Sequence, residues 1–535
     1  MHYRLLFLLF LNCLFLNAQV TLSKKVVLEE GIALATNIYL PNSKGQFSCI
    51  LIRTPYNKQG ADIFAQYFQK KGFAVVVQDV RGKYESEGEF IPFIHEYEDG
   101  LQTLDWITQQ PWSNQSVGMW GSSYLAYSAL ILAQYQHPAL KSVFALSGWI
   151  EGEEINNPGG AFHQMLVIPW LLFEGKQSAQ SIAGMDLEEL FSHLPLKEAT
   201  PSMEFLSKLD SEKRNKEQAF NYQRVDIPIM QIGGWFDFAT NASLSAYQKI
   251  KSSGTQQKLV LGAWYHNQIY DENKRIGEYR LPPEGRMNLD QLLAKAAEWF
   301  DQTLNQEDGV ESGVEYYVLY ENAWRQAEAW PPENNISKEF FLKADSLSSR
   351  IPDFETSQYE FTYDPNEPTP TLGGANFHFF LNTIGIQEQS KIEQREDVLS
   401  FSTSEFDSDQ IYAGEVEVEL FVSSEGLGTD FTAKLCKLDT AGKVWNLVDG
   451  IQRLDSSLDL TEPQKVKIKL GNVAFQIKEG EKLKLLISSS NFPKFNRNPN
   501  TGIDPMDAIH LKAVRQTIFH NPLQLSKLTL YQLIP

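Results

Sequence analysis

Cations are in short supply in this chain: 47 Lys and Arg stand against 67 Asp and Glu, for a net charge of −20. That shortage argues against a nucleic-acid partner, whose phosphates need a cationic face. Cysteine is scarcer still, with three in 535 residues. Too few thiols exist for a disulfide framework, and no Cys/His cluster has zinc spacing. EF-hand loops are absent as well, so neither a structural metal nor a cofactor is expected. Long apolar runs are missing beyond the first residues, so no later segment is expected to span a membrane.

Those first residues, "MHYRLLFLLFLNCLFLNAQV", read as a secretory leader over 1–18. Arg4 supplies the positive start, Leu5 to Leu16 the apolar core, and Ala18 a small residue for cleavage. Cys13 lies inside the apolar run, which fits a lipoprotein anchor poorly. The expectation is an exported protein, periplasmic or secreted, with no membrane attachment after cleavage. Loss of Arg4 with the leader takes the net charge from −20 to −21. Cys49 and Cys436 then remain, read as two buried free thiols.

From residue 19 to 148, short apolar segments alternate with helical ones. "CILIRTPYN" and "FAVVVQDVRG" read as strands, "YEDGLQTLDWITQQ" as a helix and "SVFALSG" as a strand. Continuous apolar strands separated by helices predict a parallel sheet covered on both faces. Residues 149–221 lack clear strands and read as an inserted helical cap, with runs such as "MDLEELFSHL" and "SMEFLSKLDSEKRNKEQAF". The sheet pattern resumes over 222–333 with "IPIMQIGGWFD", "KLVLGAWYHN" and the helix "LDQLLAKAAEWFDQTLN". After "WPPENN" the remainder, 334–535, is a series of short alternating segments that read as an all-β sandwich of jelly-roll type. The overall fold class is α/β, with an α/β-hydrolase sheet, a cap and a β domain.

Loops after the C-terminal ends of parallel strands carry function in such sheets. "MWGSSYLAYSALILA" passes from strand through a turn to a helix, with two serines at the corner. A nucleophile elbow places glycine two residues before the serine, where a Cβ is least tolerated. Gly121 does this for Ser123, whereas Ser122 would have Trp120 there. The glycine usual two residues later is replaced by Leu125, and taken alone the motif fits a helix N-cap equally.

Two later loops, "GGWFD" and "GAWYHN", place Asp237 and His266 at strand ends, in the order Ser, Asp, His of an α/β-hydrolase. The other eight histidines fall in the leader, the cap or the β half, or precede the acid. The backbone N–H of Tyr124, next after the nucleophile, suits an oxyanion donor. Tyr56, in "RTPYNK", either packs on the fold or points its hydroxyl into the site.

"RTPYNK", "QDVRGKYESEGEF", "GSSYLA", "GGWFD" and "GAWYHN", in that order, resemble the X-Pro dipeptidyl-peptidase-like and cocaine-esterase-like serine hydrolases. The resemblance continues into "GTDFTAKLCKLD", "WNLVDGIQR" and "ISSSNFPKFNRNPNTG". It implies an α/β-hydrolase domain with an inserted helical cap and a C-terminal, galactose-binding-like jelly roll, with Ser123 as nucleophile, Asp237 as acid, His266 as base and Tyr56 as a second oxyanion donor through its hydroxyl. Where the family carries glycine three residues after the nucleophile, this chain has Ala126.

Fold alone does not choose among ester, amide and X-Pro peptide substrates. Relatives acting on α-amino acid esters hold the ammonium with carboxylates, partly just after the triad acid. Here those positions are Phe238, Ala239 and Thr240. Glu151, Glu153 and Glu154 open the cap; Glu153 and Glu154 either face the pocket and favour a cation or belong to a solvated loop. Trp149, Trp170, Leu171, Leu172 and Phe173 either line an acyl pocket or form the core of the cap. The expected activity is acyl-ester hydrolysis, with a small-molecule ester, amide or short peptide as the partner. The alternatives are an X-Pro dipeptidyl-peptidase, an α-amino acid ester hydrolase or acylase, and an inert binding protein that uses the jelly roll. A homo-oligomer is left open.

Overall fold

The computed structural model describes residues 19–174, 185–204, 206, 219–266, 268–270, 274–306, 309–351, 357–377 and 384–534. The leader over 1–18 lies outside them, as does most of the helical run expected over 202–220. Among the described residues no helix is long and apolar enough to cross a membrane.

Among the described residues the first half is built on twelve strands: β1 (Val20–Val27), β2 (Ala33–Leu40), β3 (Phe47–Thr54), β4 (Ala74–Asp79), β5 (Ser113–Ser122), β6 (Leu140–Leu146), β7 (Ile229–Phe236), β8 (Gln257–Tyr265), β9 (Arg275–Ile276), β10 (Tyr279–Arg280), β11 (Gly313–Val318) and β12 (Ala323–Ala327). Ten of them form one sheet in the order β1-β2-β4-β3-β5-β6-β7-β8-β11-β12; β9 and β10 pair separately. From β4 to β11 neighbours run parallel, as the continuous apolar strands predict.

The sheet is mixed at its edges, which corrects the all-parallel expectation. β1, β2 and β12 are antiparallel to their neighbours. Connection length explains two of these pairings: β1 to β2 and β11 to β12 are joined by turns of a few residues, too short for a crossover. β1 is exposed along most of its length, as an edge strand can be.

Helices α1 (Asp62–Lys70), α2 (Glu96–Thr108) and α3 (Tyr124–Leu130) follow β3, β4 and β5. Between β6 and β7 the described residues are helical: α4 (Glu153–Asn156), α5 (Gln164–Glu174) and α6 (Leu187–Ser192). α7 (Thr240–Lys251) follows β7, and α8 (Leu289–Asn305) occupies the span its periodicity predicts. A reciprocal capping box between Asn288 and Gln291 starts α8, and Leu292, Ala296, Trp299 and Phe300 form its buried stripe.

One face of the sheet packs Phe300, Phe68 and Trp120 together; the other packs Leu104, Ile107, Ala126 and Ile250. Cys49 and Cys436 are buried free thiols. The second half, from Asn335 onward, is built of β strands among the described residues, apart from one helical turn at Ser390–Glu393. Its long strands Gln410–Ser424 and Gln464–Ile477 pair antiparallel, and the first alternates buried and half-buried positions from Gly414 onward.

The "WPPENN" segment is a packed joint between the halves. Trp330 is buried against Trp235, ring centroids 5.2 Å apart, and its indole N–H donates to Asn472 at 2.8 Å. Leu319 adds a backbone bridge to the second half through Ala474 and Gln476.

Candidate active site

β5 runs into α3 through one residue, Ser123, at φ 57° and ψ −123°. Left-handed φ is costly for a residue with a side chain and marks a tight, over-determined turn. Gly121 makes that turn feasible: a Cβ there would lie 2.2 Å from the carbonyl of Leu125. Ser123 makes no side-chain capping bond to α3, which removes the N-cap reading. The missing glycine has a local counterpart. A Cβ on Gly148 would meet the Ala126 methyl at 2.9 Å, so glycine at 148 leaves room for alanine at 126.

His266 follows β8, and its Nε2 lies 3.1 Å from Ser123 Oγ. Its Nδ1 lies 3.0 Å from Asp237 Oδ1, at the end of β7. Hydroxyl, imidazole and carboxylate therefore form one hydrogen-bonded line, an arrangement able to move a proton off the serine. Ser122 Oγ, by contrast, is buried and has no hydrogen-bond partner among the described residues.

Asp237 is held from several sides. Oδ1 also accepts the Ala239 N–H at 2.9 Å, and Oδ2 accepts the Ser147 hydroxyl. Burial pushes its carboxyl pKa upward, but His266 and the Ser147 and Ala239 hydrogen bonds outweigh this and hold it below the ordinary value. Ser147 escapes the motif pattern, although a polar residue just past an apolar strand beside that of Asp237 is a readable signal.

Two aromatic rings flank the imidazole. Phe238 lies against it, centroids 4.4 Å apart with 32° between planes, and Phe377 meets it edge-on at 5.9 Å. Phe377 comes from the second half of the chain, so no local pattern around the strand ends reveals it.

Ser123 and His266 open on a cavity of about 340 Å³. Trp149, Trp170 and Phe173 line it, as the acyl-pocket reading expects, together with Phe93, Phe238 and Phe377. Tyr56 stands in the wall, its hydroxyl accepting the Trp170 indole N–H at 3.2 Å. The N–H of Tyr124 is the first of α3, where no intrahelical acceptor exists.

Glu153 and Glu154 do not line this cavity. Ile155 is the α4 residue buried toward it. Glu153 accepts from Asn157, and Glu154 accepts from Ser245 with Lys249 3.8 Å away. Glu151 likewise pairs with Lys249 and Tyr222. The turn of α4 therefore sends these carboxylates outward. No carboxylate lines the cavity among the described residues.

Known proteins share both halves of this architecture. A family model described as X-Pro dipeptidyl-peptidase (S15 family) matches residues 30–268. A second, the X-Pro dipeptidyl-peptidase C-terminal non-catalytic domain, matches residues 307–529. Cocaine esterase of a Rhodococcus species is 28% identical, with 91% of this chain and 93% of that protein covered. Among solved structures, an aminopeptidase from a marine sediment thaumarchaeon superposes with a TM-score of 0.80 at 19% identity, covering 96% of this chain and 97% of that one. An α-amino acid ester hydrolase superposes with a TM-score of 0.73 at 22% identity, covering 96% of each chain. At these identities the two superpositions speak to the fold alone. With both halves matched in order along the chain, the protein belongs to the family of X-Pro dipeptidyl-peptidase-like and cocaine-esterase-like serine hydrolases.

Proposed function

We propose that this serine hydrolase cleaves esters of neutral, apolar acids through an acyl-enzyme on Ser123. His266 takes the Ser123 proton as Oγ attacks the carbonyl carbon, then delivers it to the departing alcohol. Water then attacks the acyl carbon as His266 takes its proton, the acyl–Oγ bond breaks as His266 returns that proton to Ser123 Oγ, and the acid leaves. Asp237 holds the imidazole tautomer and stabilises the imidazolium. Tyr124 N–H and the Tyr56 hydroxyl donate to the oxyanion, each worth about 3 kcal/mol in the transition state.

The observation that carries this reading is the hydrogen-bonded line from Asp237 to Ser123, opening on a cavity walled by aromatic rings. The absence of a carboxylate among the described lining residues gives a substrate ammonium no counter-charge there. This weighs against α-amino acid esters and X-Pro dipeptides. The family description favours the peptidase as the second reading.

A direct comparison separates the two. 4-Nitrophenyl benzoate and Ala-Pro-4-nitroanilide are offered to the same preparation, beside Ser123→Ala. Fast, Ser123-dependent ester turnover without anilide release is expected; efficient anilide release would replace the esterase reading with the peptidase. Export belongs to the same proposal and rests on residues 1–18 alone. Cell fractionation with and without that segment tests it: retention of the complete chain in the cytoplasm would refute export.

A further inference from the structure

Tyr56 and Tyr124 come from different elements, yet a shared oxyanion needs both donors at a fixed separation. Tyr56 sits on the loop after β3, bounded by Arg53 and Lys58. Lys58 pins the far end of that loop: its N–H donates to Asp79 Oδ1 at 2.6 Å and its Nζ to Asp79 Oδ2 at 3.1 Å. Arg53 anchors the near end, fully buried, donating through Nε to Gln78 at 3.1 Å and through Nη1 to Glu96 Oε2 at 2.9 Å.

The other oxygen of the same carboxylate serves the second donor. Glu96 Oε1 accepts the Tyr124 hydroxyl at 2.8 Å. Ser128, one turn along α3, donates to Oε2 at 3.2 Å, and the Phe93 N–H donates to the Tyr124 oxygen at 3.0 Å. The Glu96 side chain is 4% exposed and opens the first turn of α2. One buried carboxylate thus ties the loop that carries Tyr56 to the residue whose N–H faces the oxyanion.

We infer that Glu96 is a positioning residue that sets the separation of the two oxyanion donors through Arg53 and the Tyr124 phenol. The inference rests on the oxyanion roles proposed above. A buried ion pair is weak evidence for stability, since desolvation offsets its Coulomb energy. Its contribution here is geometric. Oxyanion donors act only when aimed at the developing charge, and displacements on the order of 1 Å can cost about 10²-fold.

Tyr124→Phe tests this, because it keeps the ring and the backbone N–H and removes the hydroxyl with its bonds to Glu96 and to the Phe93 N–H, of which Glu96→Gln leaves the Phe93 contact in place. Glu96→Gln is the second variant, and Tyr56→Phe the control for the oxyanion reading itself. Kinetics with 4-nitrophenyl benzoate and inhibition by phenylboronic acid, a tetrahedral mimic on Ser123, are the readouts. Tyr124→Phe is expected to lower kcat about 10-fold or more with KM within about 2-fold, and to weaken phenylboronic acid by the same factor. A Tyr124→Phe enzyme with native kcat and native phenylboronic acid affinity, whatever its melting temperature, would overturn the inference. So would a change confined to KM. If Tyr56→Phe is silent, the oxyanion reading fails instead, and the two failures remain distinguishable. Should Glu96→Gln fail to fold, Tyr124→Phe decides alone.

Discussion

The Phe238 ring lies over the His266 imidazole, centroids 4.4 Å apart and planes 32° from parallel. Phe238 directly follows Asp237, whose carboxylate bonds to the same imidazole. An aromatic face beside a ring that becomes cationic stabilises it by about 0.5–1 kcal/mol. Phe238→Leu should therefore lower kcat about 2- to 5-fold while the enzyme stays folded by circular dichroism. An unchanged kcat would reduce the contact to packing.

Ser147 supports Asp237 from the far side of the carboxylate. A hydrogen bond to a charged acceptor is worth about 1.5–3 kcal/mol. Ser147→Ala is expected to cost about 10-fold in kcat, with little change in KM, in a steady-state assay. Native turnover would show that His266 and Ala239 hold Asp237 unaided.

The depressed pKa of Asp237 has a signed consequence for stability. Its unfolded value is about 3.9. A carboxyl that is more acidic when folded stabilises the fold fully above its unfolded pKa. That contribution is lost as pH falls through the lower folded value. Urea midpoints of the native chain and Asp237→Asn should therefore differ above about pH 4 and converge below it. A difference that is constant across this range would contradict the assignment.

Glu153 and Glu154 point away from the cavity. The double change to Gln should leave KM within about 2-fold for phenylalanine methyl ester and for methyl 3-phenylpropanoate, since screened surface charges at such distances act weakly. Selective loss of affinity for the amino ester would return these residues to the substrate site.

Much of this site is legible in sequence because each part of it is local. Ser123, Asp237 and His266 each end an apolar strand, and parallel strands bring such ends together. Gly121 marks the elbow because a single Cβ decides whether that turn can form. The cap glutamates carry no such signal: a helix of four residues, Glu153–Asn156, has no periodicity to orient it, and packing of Ile155 decides which side faces inward. Phe377 reaches His266 from the other half of the chain, and nothing near it in sequence announces that. The antiparallel edge strands follow from connection length, a weaker signal than the apolar runs of the centre.

The most direct test of the account is to find which serine becomes acylated. The protein is treated with a fluorophosphonate, digested, and the adduct located by peptide mass spectrometry, beside Ser122→Ala and Ser123→Ala. The account predicts a single adduct on Ser123, retained in Ser122→Ala and absent from Ser123→Ala together with ester turnover. An adduct on Ser122, or ester turnover that survives in Ser123→Ala, would contradict it.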